Sequence, residues 1–294
     1  MSRTTTASSS PRSPAERFAV PEGARAIDAT LKRLGIRPSR RLGQSFLIDP
    51  FAADAEAALV EATGGHPVVE IGGGLGMLTA ALLRRGIRPL TVVERDPRLV
   101  AFLRTTFGGR ITVEEADAEA YAFSPGATVV GNLPFSVATP ILLALFAHRT
   151  PRVVAMVQRE VAERLAAGPG SKRYGRLSIV ARLYGGVELF RTVSRSSFYP
   201  VPEVEGRIFV HTARAGPLPV PNVEHFERIV RTLFSSRRKQ LVNLLSRLGR
   251  PKIELVRLVR EAEWPADWQR MRPEELPPEA YFRFATALDA GSAL

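Results

Sequence analysis

Between residues 67 and 210 the chain repeats one rhythm: a short, uniformly apolar run, a polar or glycine-rich break, then a longer stretch with apolar positions at helical spacing. The runs at 67–71 (PVVEI), 90–93 (LTVV), 111–113 (ITV), 128–130 (TVV) and 153–157 (VVAMV) show no polar alternation. That predicts strands buried on both faces, as parallel sheets require. Helices are predicted between them, over 50–61, from the glycines to Leu83, after Asp96-Pro97 (N-cap, then proline at the first helical position), and over 158–165 and 177–183. A further apolar run spans 137–146. Strand and helix in alternation predict a doubly wound α/β sheet. Two more strands are read at 187–193 and 207–210.

The texture changes after residue 213. Phe226, Ile229, Val230, Leu233, Leu241, Leu244, Leu245 and Leu248 keep helical spacing over 223–248, and Trp264, Trp268, Leu276, Tyr281 and Phe282 read as the core of more helices. The predicted division is a basic disordered tail over 1–25, a catalytic domain over 26–213 and a small all-helical C-terminal domain over 214–294. The tail is rich in Ser, Thr, Pro and Arg, and a short amphipathic helix follows it at 27–34.

Composition narrows the function. No apolar run approaches the ~20 residues of a membrane span, and the tail lacks the apolar centre of a secretory signal. The chain is read as cytoplasmic and as a monomer. It has no cysteine, which excludes disulfides, thiolate metal sites and thiol nucleophiles, and no metal site is read. A net charge of +12 favours a polyanionic partner.

Candidate chemistry gathers where the predicted strands end. The first runs into Gly72-Gly73-Gly74-Leu75-Gly76. A dinucleotide fingerprint starting at Gly72 would need its last glycine where Met77 stands. The text present, Glu70-x-Gly72-x-Gly74-x-Gly76, is the pattern of S-adenosylmethionine-dependent methyltransferases. Glu94 ends the second strand 22 positions after Gly72, near the ~20-residue offset of a ribose-binding acid. Asp117 follows the third and can accept from the cofactor's adenine amine. The fourth runs into Asn132-Leu133-Pro134-Phe135. Asn132 and the carbonyl before Pro134 offer two acceptors beside the flat face of Phe135, a set that suits an aromatic amine. The same four residues also suit a capped turn with a core phenylalanine. The loop Gly168–Arg176 is basic and carries Tyr174; it reads equally as a phosphate contact through Lys172 and Arg173 with Tyr174 packed or stacked, or as a solvated loop. Arg237-Arg238-Lys239 is a compact cluster suited to phosphates. Phe198 reads as a core residue or a second aromatic wall for the target base.

Residues 39–285 resemble the rRNA adenine N6,N6-dimethyltransferase family, and within it the KsgA-like small-subunit enzymes. The resemblance is carried in order by LGQSFLID (42–49), EIGGGLG (70–76), VVERD (92–96), EADA (115–118), GNLPF (131–135), QREVAERLAAGPGSKRYGRLS (158–178), SSFYPVPEV (196–204) and LFSSRRKQLVNLL (233–245). The AGPGSKRYGRLS block and the RRKQLVNLL helix are closer to that branch than to the Erm resistance enzymes, which methylate large-subunit rRNA. The resemblance implies a Rossmann-like fold and S-adenosylmethionine as cofactor. It implies cofactor contacts from Ser45, Leu47, Gly72, Glu94, Asp117 and Asn132, with rRNA in a pre-ribosomal small subunit as partner. Ser45 stands where the family usually has Asn, and Phe135 where many members have Tyr. The expected chemistry is N6 dimethylation, with Asn132 and the Leu133 carbonyl as acceptors, Pro134 shaping the turn and Phe135 stacking on an extruded base. Rival readings are an Erm-type enzyme, a DNA adenine methyltransferase and an RNA-binding assembly factor.

Overall fold

The computed structural model describes residues 18–38, 44–60 and 66–290. Most of the predicted tail, and Leu42 and Gly43 of the LGQSFLID block, lie outside these residues. The chain begins with helix α1 (Gly23–Arg33), strand β1 (Phe46–Leu47) and helix α2 (Pro50–Ala58). It continues through β2 (Val68–Ile71), α3 (Met77–Arg84), β3 (Leu90–Glu94), α4 (Pro97–Phe107), β4 (Thr112–Glu115), β5 (Thr128–Asn132), α5 (Ala138–Ala147), β6 (Arg152–Gln158), α6 (Arg159–Ala166) and α7 (Arg176–Tyr184). Strands β7 (Gly185–Val193), β8 (Phe198–Tyr199) and β9 (Gly206–Ala213) follow, then α8 (Val223–Leu233), α9 (Leu241–Leu245), α10 (Lys252–Glu261) and α11 (Pro278–Ala290).

Local chemistry sets the helix starts. The Asp49 carboxylate accepts the amide protons of Phe51 and Ala52 at 2.9 and 3.2 Å, with Pro50 at the first helical position of α2. Asp96 does the same for Arg98 at the start of α4, with Pro97 beside it.

The seven-stranded sheet has the order β4-β3-β2-β5-β6-β9-β7. Strands β4, β3, β2, β5 and β6 run parallel, while β9 is antiparallel to both β6 and β7. From β2 the chain winds outward through β3 and β4, then returns to lay β5 on the other side of β2. This reversal opens a crevice at the carboxyl ends of β2 and β5, where open α/β sheets bind ligands. The inner parallel strands are buried on both faces, as their unbroken apolar runs require; β5 buries Thr128 to Gly131 and β6 buries Val153 to Val157. The run at 111–113 is the exception: β4 is the sheet edge, where only Val113 is buried and Thr112, Glu114 and Glu115 are exposed. Separately, β1 and β8 form a small antiparallel ribbon with Phe46 opposite Tyr199 and Leu47 opposite Phe198.

Helices α8 and α11 pack against α7, with α9 against α8 and α10 against α11. Phe226, Leu233, Tyr281 and Phe284 share one continuous apolar cluster with Ile179 and Val180 of α7 and Phe146 of α5. Two expectations change. The helix expected across 223–248 is interrupted: α8 ends at Leu233 and α9 starts at Leu241. Between them Phe234 packs back on Tyr281, and the SSRRKQ that follows offers no apolar side chain to bury, so Arg237, Arg238 and Lys239 stand exposed in a turn. The tail expected over 1–25 overlaps α1, which starts at Gly23. Ahead of it the Phe18 ring packs on Phe107 at 5.2 Å between centroids. No helix of the described residues is long and apolar enough to cross a membrane.

Candidate active site

The crevice is a cleft of about 670 Å³. The glycine turn after β2 forms its floor, the end of β3 and start of α4 one wall, and Asn132 to Val137 with Ser45 to Leu47 the other. Glycine is required here by contact. A Cβ on Gly131 would lie 2.5 Å from the Ile71 carbonyl oxygen, so only glycine lets β5 sit this close to β2. Gly74, at φ +53°, turns its amide toward β3 and donates to Glu94 Oε2 at 2.9 Å.

Glu94 is largely buried at the strand end. Its other oxygen, Oε1, accepts from the Arg95 and Asp96 amides at 2.8 and 3.0 Å. Three backbone donors therefore fix the carboxylate, while Oε2 keeps a lone pair for a hydroxyl. Behind the turn, Glu70 is buried and accepts from Thr79 Oγ1 at 2.7 Å. Burial chiefly, with the Glu94 charge adding, pushes its carboxyl up to about 8 against the pull of the Thr79 bond. Glu56, on the buried face of α2, is also pushed up to about 8 by burial and then by Glu70.

Asn132 is the best-defined polar group of the opposite wall. Its Nδ2 donates to the Ser45 backbone carbonyl at 3.3 Å. A carbonyl can only accept, so this bond orients the amide and turns Oδ1 the other way. Oδ1 is buried with no hydrogen-bond partner. An unpartnered buried acceptor is costly, and an arriving N–H donor would relieve that cost. Beside it, Leu133 is held by its amide, which donates to the Met156 carbonyl at 3.0 Å. The half-buried Phe135 ring meets Phe198 edge-on at 6.1 Å.

Ser45, Leu47, Gly72, Gly74, Glu94, Asn132, Leu133, Pro134 and Phe135 thus all line one cleft. Other predicted residues stand apart from it. Gly76 lies at the N-cap of α3, where an added Cβ would meet the Phe107 ring at 2.6 Å, so its smallness serves packing. Asp117 is exposed and outside the cleft lining; its carboxylate accepts from the Arg95 guanidinium at 3.1 Å and from the Glu119 amide. Phe198 is 1 % exposed and cannot offer a face to a base; it supports the Phe135 ring from the core. Tyr174 is buried and donates to the Leu276 carbonyl at 3.0 Å, which removes the stacking reading. Lys172 and Arg173 are exposed, with Arg173 paired to Glu163 at 2.8 Å.

Sequence reasoning missed Arg95 and Arg98 in the cleft wall, and it missed that Glu70, read as the first position of the glycine motif, is buried near an equally buried Glu56. A signal existed for the pair: Glu70 sits inside an apolar strand, and Glu56 falls on the same helix face as Ala52, Ala53 and Ala57.

Residues 36–261 match the family model for ribosomal RNA adenine dimethylase. The chain is 39% identical over 265 residues to a protein of Natronomonas pharaonis named "Probable ribosomal RNA small subunit methyltransferase A", covering 88% of this chain and 96% of that one. The ribosomal RNA small subunit methyltransferase A of Geobacter sulfurreducens is 39% identical over 224 residues, 72% of this chain and 81% of its own. Among solved structures, a dimethyladenosine transferase from Plasmodium falciparum superposes with a TM-score of 0.68 at 22% identity, over 84% of this chain and 98% of that one. The 23S rRNA methyltransferase ErmE superposes with a TM-score of 0.65 at 26% identity, over 83% and 99%.

Proposed function

The chain belongs to the ribosomal RNA adenine dimethylase family, and on that premise we propose that it is the small-subunit rRNA enzyme which dimethylates adenine N6 in this cleft. Relatives 39% identical over most of the chain carry the small-subunit name, which supports that choice of substrate. The partner is then rRNA of an assembling small subunit.

The cleft fits S-adenosylmethionine in its donor set. Gly72 and Gly74 leave room against the backbone floor, Glu94 keeps an acceptor for ribose hydroxyls, and Ser45 and Leu47 close the far side. The cofactor, when bound, supplies a methyl group already activated on a sulfonium. The protein is therefore left with positioning and with tuning the amine.

The adenine exocyclic nitrogen is a weak nucleophile because its lone pair is delocalised into the ring. Asn132 Oδ1 and the Leu133 carbonyl accept its two hydrogens in the first transfer and one of them accepts the remaining N–H in the second, which draws the nitrogen toward tetrahedral geometry and localises that pair. Each transfer forms one N–C bond and releases one N6 proton to solvent. Pro134 disfavours helical backbone at Leu133 and keeps the carbonyl forward. Phe135 stacks on a base withdrawn from the RNA, as chemistry on a base requires. Fixed acceptors cost no reorganisation at the moment of reaction.

The observation that carries this reading is the buried, unpartnered Oδ1 of an asparagine whose Nδ2 is already engaged. Asn132→Ala should lower kcat by roughly 100-fold or more, the scale of losing one preorganised polar contact in an active site. Cofactor affinity, read by calorimetry, should change by no more than about threefold, under 1 kcal/mol. Wild-type turnover in this variant would sink the mechanism.

A further inference from the structure

Ser45 enters the site by two different bonds. Its backbone carbonyl accepts from Asn132 Nδ2 at 3.3 Å, across 87 residues of sequence. Its side chain does something else: Oγ donates to the Pro200 carbonyl at 2.9 Å, across 155 residues. A serine hydroxyl has one proton to give, so with that bond made Oγ cannot also donate to a ligand. The residue lies one position before β1, whose partner β8 ends at Tyr199, one position before Pro200. The Oγ bond therefore extends the β1–β8 ribbon by one side-chain rung. The same ribbon holds Phe198, the ring that supports Phe135. Two further bonds tie it down: the Ile48 amide donates to the Ser197 carbonyl at 2.9 Å, and Ser197 Oγ donates to Asp49 at 2.8 Å.

We propose that Ser45 is a positioning residue: its hydroxyl, anchored on Pro200, fixes the carbonyl that orients the Asn132 amide and so aims Oδ1 at the target amine. This inference rests on the adenine-methylation reading and assigns the Ser45 side chain to Asn132 rather than to the cofactor. The logic is geometric. The Asn132 amide is near-symmetric in shape, and only the atom facing it decides whether oxygen or NH2 points into the cleft. A carbonyl held in place selects oxygen. With Oγ removed, the ribbon loses its rung at Ser45, and the acceptor that selects the working orientation is held only through its link to Phe46.

The test compares Ser45→Ala and Ser45→Thr with wild type in three measurements. These are steady-state methyl transfer, calorimetric binding of S-adenosylmethionine, and the side-chain amide spectrum of protein carrying isotope-labelled asparagine. The spectrum is simple, because the chain contains three asparagines, at 132, 222 and 243. In Ser45→Ala, kcat should fall about tenfold, the rate equivalent of roughly 1.4 kcal/mol, a loss on the scale of one hydrogen bond. The KM for RNA and the cofactor Kd should stay within about twofold, a shift of under 0.5 kcal/mol. The Asn132 amide pair should move toward the shifts of exposed Asn243. Ser45→Thr, which keeps the hydroxyl, should restore both rate and spectrum.

Weaker cofactor binding with unchanged kcat in Ser45→Ala would overturn the proposal and make Ser45 a cofactor ligand. Equal impairment of the Ala and Thr variants, or an unmoved Asn132 signal in Ser45→Ala, would overturn it as well. If instead wild-type protein moves no methyl to adenine while the amide signals behave as expected, the reaction is misread and the orienting role stands.

Discussion

A buried amide oxygen without a partner is an unstable thing to keep, and Asn132 keeps one at the mouth of a strand. It persists because the other half of the same side chain is engaged by Ser45. On the proposed reading Phe135 completes the pair of functions, since a base whose amine is gripped must also have its face held. Replacing Phe135 by Ala should lower kcat/KM for RNA by roughly 5- to 150-fold, the range of about 1–3 kcal/mol for one lost stacking partner. Replacing it by Tyr should cost little, because the face remains. Equal activity of the Ala variant in steady-state assays would remove stacking from the account. These residues were legible in the sequence because Asn132 to Phe135 are contiguous, and their chemistry can be read without knowing the fold. Ser45 was legible as a candidate residue of the cleft, but its two bonds were not: both of its partners lie far away in sequence. Phe198 misled for a related reason. An aromatic residue in an extended turn looks the same from sequence whether it faces solvent or the core, and its pairing opposite Leu47 decides for the core.

At the scale of elements, the strand-turn-helix units were legible and the joins between them less so. Uniform apolar runs identify the buried inner strands, though not that β4 lies exposed at the edge, and the glycine spacing after Ile71 marks the turn. Neither reveals that β9 runs backward between β6 and β7, because a buried antiparallel strand has the same apolar texture as a parallel one. The break between α8 and α9 was hidden too, since leucines on either side keep one apparent period across an exposed turn. Helix α2 carries the least expected cost. Its Glu56 is fully buried with neither carboxylate oxygen hydrogen-bonded, near buried Glu70. Both carboxyls are pushed up from 4.5 to about 8, so they hold protons when folded that they release on unfolding. Stability contributed by these protons is present below about pH 4.5 and is lost as pH rises to about 8. Glu56→Leu, similar in volume and without the polar atoms, should unfold at a higher temperature at pH 8, by roughly 2–4 °C for each kcal/mol relieved. The gain should shrink at pH 5. Thermal melts showing a gain independent of pH, or a loss at pH 8, would contradict this assignment of the buried carboxyls.

The whole molecule joins a reaction cleft to a basic body. Its net charge of +12 supplies long-range attraction to a polyanion, and exposed Arg237, Arg238 and Lys239 add a local concentration of it in the turn between α8 and α9. The C-terminal helices and the α5–α7 face of the sheet share one apolar cluster, so the turn bearing these cations is anchored to the layer that supports β5 and Asn132. Tyr174 and the Gly170 amide secure the same junction from the other side, through bonds to the carbonyls of Leu276 and Glu274 at 3.0 and 2.7 Å. On the proposed reading this arrangement suits a large, structured RNA gripped at a distance from the base being modified. The most direct test is transfer of labelled methyl from S-adenosylmethionine to unmodified small ribosomal subunits and, separately, to protein-free large-subunit rRNA. Label recovered from the small subunit as N6,N6-dimethyladenosine, and little on the large-subunit RNA, is the result expected. Label confined to large-subunit RNA, or absent from both while RNA still binds, would contradict it.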